Sequence, residues 1–311
     1  MPSARASSPA ASQQGADATG PARCVALVTC AAPDPPDTDL PLIEAALSDL
    51  GIGCAIEVWD DPAVAWAAYD LVVVRSTWDY AFRRESFMNW ARSVPHLANP
   101  APVLAWNTDK VYLRELHAAG LPVIPTWWDP TTGTDLGTTD EWVVKPSVSA
   151  SSRDTARWSE RADVDAHVAQ LRRSGRTVMV QPYVTSVDRD GETALLYAGT
   201  RFSHAVRRGA VLARGEGVRQ DRDGRETVLA VEPRPDQLEL GTSVLTHVLE
   251  RFGADAVLYA RVDVVDDPDG RPLLLELELT EPGLFLAPGD GGAQRLAQAI
   301  AARLGVQAER A

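Results

Sequence analysis

The chain has 311 residues, 45% apolar and 23% charged, with a formal net charge of −13. This length and apolar content suit two or three lobes of one enzyme body and argue against a disordered chain. The acidic balance argues against a nucleic-acid partner, whose phosphates need a basic face, although a few lysines and a metal ion can invert the sign inside a pocket.

Residues 1–23 are rich in Ala, Ser, Gln and Gly and read as a disordered tail, not a signal peptide. A first lobe is expected over 24–106. It opens with the strand CVALVT, followed by a helix over 40–50 whose apolar face is Leu42, Ile43, Ala46, Leu47 and Leu50. Strands over 55–59 and 70–75, a helix over 84–92 and a strand over 102–106 complete a doubly wound α/β lobe. A second lobe, 107–184, starts with a helix over 108–119 closed by Gly120. It continues with PVIPT and EWVVK as strands, a helix over 162–173 and the strand TVMVQPYV. A third lobe, 185–311, holds the strands TALLYAG and SHAVRR and a helix over 235–252. After them come AVLYARVDVV and PLLLELEL, joined as a hairpin by DDPDG, and a helix over 292–304. No repeat is evident, and no apolar run is long enough to span a bilayer. Cys24, Cys30 and Cys54 have no zinc-site spacing and suit a reducing cytoplasm.

The last hairpin carries the strongest chemical signal. Arg261 and Asp263 lie two apart and share one strand face, as do Glu276 and Glu278 on the partner strand. A register that pairs them gathers three carboxylates and a guanidinium, a hard-oxygen set suited to magnesium; a solvated strand face is the alternative. Lys145 ends EWVVK and precedes a small-residue loop, 147–152, whose backbone could approach phosphate. An ordinary polar loop stays open there, since the loop has no glycine. Lys110 is expected in the first turn of its helix, where a bound phosphate would relieve an unfavourable dipole contact. His204, Arg207 and Arg208 form a basic cluster on one strand, and Arg207 suits a phosphate, a substrate carboxylate or a surface ion pair. RSTWDY follows a strand at the ligand-binding end of an α/β sheet. There Arg75 could clamp a carboxylate, Asp79 hold an ammonium, and Trp78 and Tyr80 wall a pocket, or the aromatics could simply pack into the core. Neither a P-loop nor a dinucleotide fingerprint is present.

In order and spacing, WNTDKVYLRELHAAGLPVIPT, VVKPSVSASSRDT, VQPYV, GETALLYAG, ARVDVV and LLLELELTEPGLF resemble the ATP-grasp superfamily, on its glutathione synthetase and D-alanine–D-alanine ligase side. The resemblance covers about 24–304. It implies an N-terminal Rossmann-like lobe and two further lobes sandwiching ATP. It implies that Lys110 and Lys145 contact ATP phosphates, with Ser147, Ser149 and Ser151 in the covering loop. Gln181, Tyr183 and Val184 would meet adenine, and Asp188 the ribose. Arg261 would stabilise the transferred phosphoryl group, and Asp263, Glu276 and Glu278 would bind magnesium. Two departures stand out: the covering loop lacks glycine, and Glu278 stands where asparagine is common.

RSTWDY and WNTDK are most similar to the branch containing the cyclo-ligase that closes O-ureido-D-serine into D-cycloserine. Residues 75–80, with Arg207, are the expected binding set for a small amino acid. An intermolecular dipeptide or amide ligase, and an ATP-binding regulatory module without catalysis, stay open as alternatives.

Overall fold

The computed structural model describes residues 23–220 and 227–306. Most of the expected N-terminal tail lies outside the described residues.

The first sheet is parallel, in the order β2-β1-β3-β4. It is built from β1 (Cys24–Thr29), β2 (Gly53–Val58), β3 (Leu71–Ser76) and the short β4 (Leu97–Ala98). β1 and β3 read as unbroken Val/Leu runs because both faces are covered. Between the strands run α1 (Leu40–Ser48) and α2 (Arg84–Ser93). The segment expected as a strand over 102–106 is instead a helix, α3 (Ala101–Asn107). Five consecutive apolar residues cannot distinguish the two, and the proline at its first turn decides for helix, since its missing N–H is unpaired there anyway.

The second sheet is antiparallel, in the order β5-β8-β6-β7. It follows α4 (Tyr112–Ala118) and comprises β5 (Trp127–Trp128), β6 (Trp142–Pro146), β7 (Ala156–Trp158) and β8 (Val178–Pro182), with α5 (Arg161–Arg173) packed against it. PVIPT does not form the expected strand. Pro122 and Pro125 lack backbone N–H groups, and only a single bridge, Val123 to Leu274, is made.

The third sheet is also antiparallel, in the order β11-β10-β9-β12-β13. After the short α6 (Val187–Asp190) come β9 (Glu192–Ala198), β10 (Arg201–Arg208), β11 (Val228–Val231), α7 (Pro235–Phe252), β12 (Tyr259–Asp266) and β13 (Pro272–Glu278). The closing helix, α8 (Gly292–Arg303), does not stay with its own sheet alone. Its Leu296, Ala297 and Ile300 share one core with Leu40, Ile43 and Leu47 of α1 and with Val25 and Leu27 of β1. On the other side of the third sheet, Leu240, Val244 and Val248 of α7 pack on Val262, Leu277 and Leu279. Among the described residues no helix is long and apolar enough to cross a membrane.

Candidate active site

The register of β12 and β13 sets Arg261 opposite Glu278 and Asp263 opposite Glu276. All four side chains line one cleft, while Val262, Leu277 and Leu279 face the core beneath. The register shifts between Asp263 and Val264, leaving Leu275 as an extra residue. Leu275 therefore packs near Ile124 and Tyr183 instead of on the Leu277 face. Arg261 is buried. Its Nε lies 2.9 Å from Asp263 Oδ1, its Nη2 also bonds Glu278, and its Nη1 donates to the Gly283 carbonyl at 3.3 Å. Burial opposes its charge, but Asp263 and Glu278 outweigh burial and hold it firmly protonated. For Glu278 burial wins, and its carboxyl is raised with Glu276 and Asp263 adding to the effect.

The free edge of β13 is gripped from the start of the second lobe. Asn107 bonds the Leu277 carbonyl at 2.8 Å and the Leu279 N–H at 2.7 Å, and the Tyr112 hydroxyl bonds both backbone groups of Leu277 at 2.8 Å. These bonds satisfy an edge strand and fix the turn between α3 and α4. Lys110 lies in that turn and so precedes the helix instead of occupying its first turn. Its Nζ sits 3.0 Å from Glu276 Oε1 and 2.9 Å from the Ser149 carbonyl. Lys145, on β6, is buried and faces the same cleft. Burial lowers its pKa and Lys110 adds to this, against the pull of Glu276. Glu276 is held below the usual carboxylate range, because Lys110 and Lys145 outweigh its own burial.

The loop after β6 splits the expected serines. Ser149 and Ser151 line the cleft. Ser147 is buried and spends its backbone on Thr177 and Lys110. Ser151, Ser152 and Asp154 take φ of 55°, 56° and 54°, left-handed values reached here without glycine. On the opposite wall, Gln181, Tyr183 and Val184 line the cleft beside Ile124 and Val187. Asp188 does not. Its carboxylate is clamped by Arg157 at 2.8 and 2.9 Å, and Arg157 lies over the Tyr183 ring at 3.5 Å.

The basic cluster expected on β10 diverges. Arg207 is exposed on one face. Arg208 faces the cleft, 3.3 Å from Asp263 and 3.4 Å from Glu192. His204 bonds the Leu284 carbonyl at 3.0 Å and is packed closely by Gly289 and Gly292. Strand parity separates Arg207 from Arg208.

RSTWDY is used mainly to join lobes. Arg75 is 1% exposed and donates to the Pro282 carbonyl at 3.0 Å, with Asp39 at 3.7 Å. Asp39 in turn accepts the Leu284 and Leu286 N–H groups at 2.8 Å each. Arg75 is thus a buried tie to the segment after β13 and lines neither cavity. Ser76 bonds Thr29 Oγ1 at 2.8 Å, and Thr77 is buried. Asp79, expected as an ammonium holder, accepts from Trp59 Nε1 at 2.9 Å and pairs with Arg83, so its charge is already compensated. Trp78 and Tyr80 do line the cleft, and a second cavity beside Cys30 and Asp34 shares Trp78 and the loop serines.

Glu281, Glu192 and Arg219 also line the cleft without any mark in the sequence pattern, and Arg208 lines it as one member of the basic cluster. Glu281 was within reach, since it sits inside the quoted LLLELELTEPGLF. Among the described residues no three His, Cys, Asp or Glu side chains are gathered closely enough to form a metal site. The physical reason is charge compensation: Asp263 and Glu278 are drawn to Arg261, and Glu276 to Lys110. As hard oxygen donors on one face they suit a divalent cation chemically, once those side-chain cations yield to it.

A model of the N-terminal domain of D-cycloserine synthetase DcsG matches residues 25–101. Across 303 residues the chain is 37% identical to the cycloserine biosynthesis protein DcsG of Streptomyces lavendulae, covering 90% of this chain and 98% of that protein. The crystal structure of D-cycloserine synthetase DcsG superposes with a TM-score of 0.82 at 36% identity, over 90% of this chain and 99% of that one. The D-alanine–D-alanine ligase of Bacillus anthracis complexed with ATP gives a TM-score of 0.63 at 14% identity, over 92% and 97% of the two chains, a likeness of fold.

Proposed function

Because this chain belongs to the cycloserine-forming family of ATP-grasp ligases, we propose that it uses magnesium and ATP to activate the carboxylate of O-ureido-D-serine and closes that molecule into D-cycloserine. The carrying observation is the β12–β13 register, which sets Arg261, Asp263, Glu276 and Glu278 on one cleft wall facing Lys110 and Lys145.

Lys110 and Lys145 neutralise phosphate charge in a poorly hydrated pocket, where each contact is worth more than in water. Gln181, Tyr183 and Val184 take the adenine, and Ser149 and Ser151 cover the phosphates. Arg261 stabilises charge on the transferred phosphoryl group. Asp263, Glu276 and Glu278 would hold the magnesium, which would supply positive charge to the phosphates. The substrate carboxylate attacks the γ-phosphorus and ADP departs. The oxygen-linked ureido nitrogen then attacks the acyl carbon, and phosphate departs. Formula balance requires water to remove the carbamoyl group as carbon dioxide and ammonia. Ring closure within one molecule avoids the entropy cost of recruiting a second.

The test is phosphate release and mass-spectrometric product analysis with O-ureido-D-serine as sole carboxylate. Cycloserine formed with no second amino acid is expected. Absence of cycloserine, with amide formed only from two added amino acids, replaces this reading with intermolecular ligation. Nucleotide binding without phosphate release over a panel of amino acids replaces it with a regulatory module.

A further inference from the structure

Four carboxylates reach the cleft from β12, β13 and the segment that follows: Asp263, Glu276, Glu278 and Glu281. Three of them have cations of the chain at hand. Asp263 and Glu278 pair with Arg261, and Glu276 with Lys110. Among the described residues no side-chain cation lies within ion-pair distance of Glu281. Yet Glu281 is only 9% exposed. A carboxylate buried without a cation is costly unless a ligand or a proton supplies the positive charge.

The surroundings hold Glu281 in place. The Tyr80 phenol lies beside its carboxylate. The Trp78 indole donates to its backbone carbonyl at 3.1 Å, and Arg75 holds the next carbonyl, of Pro282, at 3.0 Å. One phenolic O–H can occupy only one of the carboxylate's several acceptor positions, leaving others for a donor in the cleft. Burial, with Glu278 nearby, pushes the Glu281 pKa up to about 8, against the weaker pull of Lys110.

We propose that Glu281, oriented by Tyr80, binds the α-ammonium of the amino-acid substrate. This rests on the amino-acid ligase reading above. An aromatic wall from Trp78 and Tyr80 suits an organic cation better than magnesium, which retains part of its water shell. Asp79 is unsuited to the task because Arg83 and Trp59 already occupy it. The α-amine cannot close on its own acyl carbon without a strained three-membered ring, so holding it as ammonium serves recognition and orientation. Glu281 would therefore determine which substrate binds and how its acyl carbon is presented to the ureido nitrogen.

The test is calorimetric binding to protein holding magnesium and a non-hydrolysable ATP analogue. The two titrants are O-ureido-D-serine and its deaminated counterpart, 3-(ureidooxy)propanoate. Wild type is expected to bind the amine at least about tenfold more tightly, the scale of one charge-assisted hydrogen bond. Glu281→Gln should bind both alike, and Tyr80→Phe should narrow the preference. The proposal is overturned if wild type binds both alike or binds neither. It is also overturned if Glu281→Gln keeps the preference and instead raises the magnesium requirement. Should Glu281→Gln fail to fold, an unchanged preference in Tyr80→Phe would overturn the proposal. A wild type that prefers the amine yet releases no cycloserine keeps the ammonium site and refutes cyclisation, so the two failures are distinguishable.

Discussion

The Lys110 ammonium lies 3.0 Å from Glu276, joining the turn before α4 to the β12–β13 hairpin. The contact is possible because Asn107 and Tyr112, on either side of that turn, hold the backbone of β13. On the proposed assignment a phosphate-binding lysine and a magnesium-binding carboxylate meet at this ion pair, and ligand binding would have to rearrange it.

Replacing the hairpin carboxylates should separate chemistry from folding. Glu276→Gln and Asp263→Asn are each expected to lower turnover by about 100-fold or more while preserving the circular dichroism spectrum. Near-normal phosphate release in both variants at limiting magnesium would refute the metal assignment.

Lys145→Ala should weaken ATP binding by roughly ten- to a hundredfold, the scale of a hydrogen bond to a charged group. The side chain is buried and its ammonium is disfavoured there, so a bound phosphate is the partner that makes its charge favourable. Unchanged nucleotide affinity by calorimetry would reject that role.

Arg207→Ala and Arg208→Ala should differ sharply. Arg207 is exposed and its loss should leave the rate within about twofold, the size of ordinary surface effects. Arg208 faces Asp263 and Glu192, and its loss should lower the rate. Equal phosphate-release rates in the two variants would contradict the observed strand parity.

Acid should expose His167. Burial lowers its pKa from 6.5 to about 4, and its Nδ1 accepts from Trp158 Nε1 at 3.1 Å, which requires a neutral ring. Between these two values the unfolded chain takes up a proton that the folded chain refuses. Stability is therefore complete above pH 6.5 and falls as pH drops toward 4, by on the order of 3 kcal/mol. His167→Gln should flatten that part of the melting-temperature profile. Parallel profiles for the variant and wild type would show that other groups govern the decline.

Much of this arrangement was readable where one period dominates. The helix Pro235–Phe252 and the β12–β13 pair follow directly from spacings of 3.6 and 2. The α3 segment departs from the expected strand because an apolar pentamer is ambiguous and the proline in its first turn favours helix. Site residues failed where their partners are remote in sequence. Nothing local to Asp79 announces Trp59, and nothing near Arg75 announces the Pro282 carbonyl. Glu281 carries no such mark because it follows the strand, where alternation no longer assigns a face.

The docking of α8 on α1 has a consequence for biosynthesis. At a synthesis rate of about 5–20 residues per second, α8 emerges roughly 10–50 s after α1. Until then Leu40, Ile43 and Leu47 lack the apolar partners Leu296, Ala297 and Ile300. The first sheet can pair its strands on the ribosome, but one side of its core must wait until α8 has been made. A transcript cut short before α8 would yield a chain in which every residue of the cleft is present and a hydrophobic seam is left open to chaperones and proteases.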